Sequence, residues 1–389
     1  MTSLLGNAPS IRRHSIGLDA IRGVLALSVV FTHLIPWTQV AQGAEAMPGP
    51  LVAGRAFATR LFQPSAELGP GVLAFIVLSG YCIHRAGFRA SGGSIARYAV
   101  RRTFRILPVF IVATMIGIAG FLTALRLDPI VGTQLSGTIA IDPACVAAKL
   151  AGVAALVPVF HPCSYAGNAP LTTVMVEFWL YVAYAVLFWL FIRRGHERAV
   201  WWICGALFVA GLVVAAGASR APILYNWWQN SSVAGFLAFW WIGALFVSPA
   251  VASRSRPLAL TALGVWLALT ALPVHPVAGE LKKLMFCVVA GAAIVALDTA
   301  TLPGLRPLGL LGKVSYSLFA FHAPVTYILL IMGTPWWQTL LVNIIIAVAG
   351  YHVIERPFIA HGRRIAQAID ASGSLVAPSV VAPVSAPES

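Results

Sequence analysis

Two ionisable residues in the first apolar run are spaced as if to act together. Arg22 and His33 lie 11 positions apart in "LDAIRGVLALSVVFTHL". On a helix that separation is three turns plus about 20°, so both side chains share one face, about 16 Å apart along the axis. A neutral imidazole is suited to general-base work. A guanidinium is suited to holding an anion. The bland alternative is a snorkelling arginine and a hydrogen-bonded core histidine. Glu177 stands in another apolar run, "LTTVMVEFWLYVAY". A carboxylate there needs a partner, and His33 or Arg22 is the expected one.

A second constellation is basic. "RYAVRRTFRILPVF" places four arginines just before an apolar run that Pro108 is expected to help start. Arg102 and Arg105, three apart, can present two guanidiniums to a phosphate group. Membrane orientation alone would also explain them. Ser79 and Gly80, in "GPGVLAFIVLSGYCIHR", permit close helix approach with a hydroxyl to bond across helices. His322 lies in "SYSLFAFHAP", and "YHVIERPF" brings His352, Glu355 and Arg356 to the end of the last run, where a structural ion pair is the simpler reading.

The elements that must position these residues are membrane helices. Of 389 residues, 59% are hydrophobic and 10% charged, against roughly 25% charged in a soluble domain. So much apolar surface cannot be hidden from water in a chain this long, so lipid is the solvent. The expected fold is an all-α bundle of about ten transmembrane helices, near 16–35, 70–86, 105–126, 170–192, 199–218, 232–249, 257–274, 283–301, 314–333 and 338–358. With the N-terminus inside, 18 of the 26 Lys and Arg residues fall on the cytoplasmic side, as the positive-inside rule requires. The net charge of +14 therefore reads as topology and not as a nucleic-acid surface. Both termini are expected in the cytoplasm, with no cleaved signal peptide. Residues 1–15 form a short lead-in, 16–360 the membrane domain, and 361–389 a cytoplasmic tail expected to be disordered.

Two long outer loops are expected, near 36–69 and 127–169. The second holds "VAAKLAGVAALVPVF", read as an interfacial or re-entrant helix, and also Cys145 and Cys163, which can pair if that side is oxidising. Cys82, Cys204 and Cys287 read as small apolar fillers. No metal site is expected.

In this order the motifs resemble the bacterial membrane-bound acyltransferase family 3, across Leu18 to Phe358. The family's Arg and His with ten residues between fall on Arg22 and His33. Its Leu-Ser-Gly falls on Leu78, Ser79 and Gly80, and its Arg-x-x-Arg on Arg102 and Arg105. Its membrane Glu falls on Glu177, its Ser-Tyr-Ser…His-x-Pro on Ser315, Tyr316, Ser317, His322 and Pro324, and its Glu-Arg-Pro on Glu355, Arg356 and Pro357. The chain departs from the pattern at Leu73-Ala74-Phe75-Ile76 and at Thr172 and Met175, positions that bear on the acceptor side. The resemblance implies O-acylation of cell-surface sugars in the bacterial cytoplasmic membrane. It implies a cytoplasmic acyl-CoA donor, with acetyl the expected group, and a saccharide or lipid-linked saccharide acceptor. His33, Glu177 and Arg22 become the candidate catalytic residues; Arg102, Arg105 and Ser79 become the candidate donor-binding residues. The rival from another class is a transporter or flippase for a lipid-linked sugar, since buried charges also mark transport paths. Transporters often carry inverted repeats, and none is visible. A purely structural scaffold is a more distant rival, because it would not need charges at mid-span.

Overall fold

The computed structural model describes residues 15–62, 69–86, 94–136, 167–272, 275–300 and 303–374. Every regular element among them is helical. In chain order the principal helices are α1 (Ile16–Gln42), α2 (Gly49–Phe62), α3 (Pro70–Ala86), α4 (Ile95–Leu127), α5 (Pro129–Ser136), α6 (Leu171–Leu190), α7 (Glu197–Ala216) and α8 (Pro222–Asn230). They continue with α9 (Val233–Leu245), α10 (Ser255–Thr270), α11 (Pro276–Thr299), α12 (Arg306–Lys313), α13 (Ser315–Ile331), α14 (Trp336–Gly350) and α15 (Arg356–Ser374).

Nine of the ten expected spans fall mainly on one of these helices, and the tenth, 338–358, runs through α14, a π-turn and the start of α15. Among the described residues five continuous helical runs are long and apolar enough to cross a bilayer unaided, and α12 with α13, bent by 69°, makes a sixth. The burial pattern is that of a bundle in lipid. In α3, Leu73, Ile76, Val77, Leu78 and Ile83 are all buried, so this helix is apolar all round and central. In α7 and α10, by contrast, Trp202, Val213 and Leu260 lie outward at 79%, 67% and 70% exposure, values suited only to hydrocarbon. The chain is a multi-pass membrane protein.

Glycines set the closest approaches. A Cβ at Gly80 of α3 would overlap the Trp240 carbonyl oxygen of α9, and one at Gly243 of α9 would overlap the Val77 carbonyl oxygen of α3. The two backbones therefore touch directly, as small-residue crossings allow in membranes. Gly23 of α1 and Gly312 of α12 bring those helices together in the same way, against Leu308 and Asp19.

Several boundaries differ from the sequence reading. α4 begins at Ile95, some ten residues before the expected span, because Ser94 caps it by accepting the Arg97 N–H. Its arginines are therefore helical, and Pro108 lies inside α4 instead of starting it. α11 begins at Pro276, before the expected 283–301 span, so Lys282 and Lys283 are buried within the helix. Lys283 is neutralised one turn away by Glu280 at 2.6 Å. The expected tail from residue 361 is helical through Ser374, continuing from α14 by way of a π-turn at Tyr351–Glu355. The first outer loop contains α2. Cys145, Cys163 and "VAAKLAGVAALVPVF" lie outside the described residues.

Candidate active site

His33 faces its partner from α1 across to α13. Its Nδ1 lies 3.0 Å from Nε2 of His322, and the Nδ1 of His322 lies 2.8 Å from the Phe319 carbonyl oxygen. A carbonyl oxygen only accepts, so His322 carries its proton on Nδ1 and presents the Nε2 lone pair. His33 then donates from Nδ1, with the Val29 carbonyl a second acceptor beside its ring, and Nε2 keeps its lone pair. The hydrogen-bond pattern thus assigns both tautomers. Trp37, one turn further along α1, packs its ring 4.9 Å from the His33 ring, and Tyr327 follows at 6.1 Å from Trp37.

The local sequence explains why His322 is held so firmly. Pro324 has no N–H, so the Ala320 carbonyl inside α13 loses its helical donor. The buried Asn168 amide supplies one at 2.9 Å and also reaches the Ala113 carbonyl of α4 at 3.3 Å. The His-x-Pro segment is therefore tied to α4 and to the turn before α6.

Glu177 stands elsewhere than expected. Its carboxylate accepts a short hydrogen bond from the Tyr181 hydroxyl on its own helix, one turn on, and no hydrogen bond joins it to His33 or Arg22. The chain of donors continues across helices. The Ser79 hydroxyl donates to the Tyr181 oxygen at 3.1 Å, and the indole N–H of the fully buried Trp240 donates to Ser79 at 3.3 Å. Every donor in this relay points toward Glu177, the arrangement a carboxylate acceptor demands. Ser79, expected at the donor, thus commits its proton to Tyr181.

Arg22 pairs with Asp19 one turn away at 2.9 Å and donates to the Cys82 sulfur at 3.2 Å. It is satisfied within the protein, by a carboxylate that sequence reading overlooked although the i, i+3 spacing signals it. Arg102 and Arg105 differ. Arg102 lies over the rings of Tyr98 and Tyr181, at 5.6 and 5.4 Å, and no carboxylate forms an ion pair with either arginine among the described residues. The Arg102 Nε is buried with no hydrogen-bond partner among the described residues, and Arg105 lies close enough to the buried Glu355 to act on its charge. Beside them the π-turn directs the buried Glu355 inward to accept from Ser317 at 2.7 Å, and the Tyr316 hydroxyl donates to the Ile106 carbonyl of α4 at 2.9 Å. π-turns of this kind recur at functional sites.

The structure therefore divides the predicted residues between two centres: His33 with His322, and Glu177 with Tyr181, Ser79 and the arginines. It adds Tyr181 and Trp240, which sequence reading missed. Tyr181 had a signal in its i+4 spacing from Glu177; Trp240 had none, since its role depends on the α3–α9 crossing. A hydrogen-bonded histidine pair and a separate arginine pair are chemistry that group transfer can use. Comparison with known proteins agrees at the level of family. Neither a curated protein nor a solved structure matches the chain. The family model for the acyltransferase domain, acyltransferase family 3, matches residues 15–353, nearly the whole chain. The chain belongs to that family of membrane acyltransferases.

Proposed function

We propose that this acyltransferase moves an acyl group, acetyl in the simplest case, from cytoplasmic acyl-CoA to a hydroxyl of a cell-surface or exported saccharide. The observation that carries the reading is the His33–His322 hydrogen bond, which fixes the His33 ring on the helix face that also bears Arg22. Arg102 and Arg105 hold the phosphates of the donor, supported by the absence of an ion pair to either among the described residues. The pantetheine arm then runs past Arg22, over a rise of about 16 Å, toward His33.

His33 Nε2 takes the proton of the acceptor hydroxyl as its oxygen attacks the thioester carbonyl. The C–O bond forms, the C–S bond breaks, and the departing thiolate receives that proton from the imidazolium. His322 Nε2, accepting from His33 Nδ1, favours the imidazolium while it lasts. Glu177 serves as a positioning residue through Tyr181, and Ser79 and Trp240 fix that tyrosine. The charge distribution supports a bacterial cytoplasmic membrane with both termini inside.

Purified protein incubated with labelled acetyl-CoA and a saccharide acceptor tests the reading. Transfer of label should fall by about 10²–10⁴-fold in His33→Ala, while acetyl-CoA binding persists. Full transfer in His33→Ala, with the protein folded, would refute it.

A further inference from the structure

Tyr181 has a second use. Its hydroxyl serves the relay, but the residue also lines a cleft of about 480 Å³ between α4 and α6. Ile95, Tyr98, Ala99, Arg102 and Thr103 form one wall; Phe178, Val182, Val186 and Trp189 line the other. The α6 residues recur every three or four positions, a single stripe about 16 Å long by helical rise. Ile95, Val182, Val186 and Trp189 are all exposed, so the cleft opens sideways from the bundle, toward hydrocarbon. Apart from Arg102 and the hydroxyls of Tyr98, Thr103 and Tyr181 the lining is apolar, so it suits an alkyl chain.

The mouth of the cleft carries charge. Trp189 stands at the end of α6, and the Arg194 guanidinium lies over its ring at 5.6 Å. Arg194 is exposed, and no carboxylate among the described residues pairs with it. Trp at a helix end marks the headgroup level, and a guanidinium there is matched to phosphate. An apolar cleft long enough for a chain, with an open arginine at its mouth, has the polarity of one phospholipid.

We infer that the α4–α6 cleft binds an anionic phospholipid, with its phosphate on Arg194 and one acyl chain along the Phe178–Trp189 stripe. The chain ends against Tyr181 and supports the relay from behind. A zwitterionic lipid gains the same chain contact but less of the charge attraction. Arg102 lines this cleft and is also assigned to the donor phosphates, so lipid and donor are set apart by the displacement arm of the test.

The test uses purified full-length protein offered equal amounts of phosphatidylglycerol and phosphatidylcholine, each carrying a photoreactive group at a chain end. On illumination, label should map to the cleft-lining peptides of α4 and α6. Phosphatidylglycerol should be favoured about fivefold, the preference expected of one arginine near a membrane surface. Arg194→Gln should bring that ratio to about one. Val186→Trp, which fills the cleft, should abolish labelling there by both lipids, and Val186→Phe serves if the larger substitution is not expressed. Label confined to other helices, equal labelling by both lipids in the wild type, or an unchanged ratio in Arg194→Gln would each overturn the inference. So would displacement of the lipid by acyl-CoA from the same peptides, which would assign the cleft to the donor.

Discussion

His33 and His322, 289 residues apart in the chain, meet through one hydrogen bond of 3.0 Å in which the His322 ring fixes the state of the His33 ring. The bond to the Phe319 carbonyl settles the His322 tautomer, and that tautomer settles His33. Removing His322 should therefore injure the base without touching the donor site. His322→Ala is expected to lower kcat by at least about tenfold, within the range attributed to general-base catalysis, with KM for acyl-CoA little changed. His322→Gln, whose carbonyl can still accept from His33 Nδ1, should recover part of the loss. Steady-state kinetics on both variants check this; equal damage in the two would separate the loss from the hydrogen bond.

The arginine pair is the place to separate charge from geometry. Arg102→Lys and Arg105→Lys keep the positive charge but lose the planar fork that grips a phosphate at two points. KM for acyl-CoA should rise about tenfold in each while the protein still inserts. Arg22→Lys should behave differently, because Arg22 already has Asp19. Binding isotherms for acyl-CoA across the three variants read the contrast directly.

Glu280 and Lys283 form an ion pair with both partners almost wholly buried, at 3% and 2% side-chain exposure. Glu280→Gln leaves a buried ammonium uncompensated and should destabilise by about 3–5 kcal/mol. Replacing both, by Glu280→Leu with Lys283→Met, should recover most of that loss, since apolar residues of similar volume often substitute for buried pairs without penalty. Thermal unfolding in detergent, compared across the three proteins, is the measurement.

Orientation rests on charge, and it too is open to direct measurement. A cysteine at Arg194 should be protected from a membrane-impermeant thiol reagent in intact cells, and a cysteine at Gly49 should react. Reaction at position 194 in intact cells would reverse the proposed topology.

Much of this architecture was legible in the chain. Apolar runs announced the helices because the bilayer imposes a length and a composition on each span. Arg22 and His33 could be put on one face from helical geometry alone. The partners were harder. Glu177 seemed to need His33 or Arg22, but its nearest donor was the tyrosine four residues on, and Arg22 had a carboxylate three residues back. Local spacing outranked long-range pairing in both cases. His322 could be found as a motif residue, yet its bond to His33 depends on where α13 packs against α1, which no periodicity encodes. The start of α11 was misplaced because Glu280 and Lys283 look like loop charges until they are seen to neutralise each other.

The crossing of α3 and α9 sets a further expectation for stability. Gly243→Ala would push a methyl into the Val77 carbonyl and should lower the unfolding free energy by about 1–3 kcal/mol. Gly264→Ala on α10 meets nothing within 4 Å and should be neutral or mildly stabilising. Unfolding midpoints of the two variants make the comparison.

That crossing also bears on how the protein can diverge. Ser79 adjoins Gly80, and Trp240 lies three residues before Gly243, so the two relay members are registered by main-chain contact and not by neighbouring side chains. Descendants of this chain can exchange the surrounding leucines, valines and isoleucines for one another while the Ser79–Trp240 register persists, provided both glycines are inherited. New acceptor preferences can then arise by drift in the walls of the bundle, with the chemistry left in place at its centre.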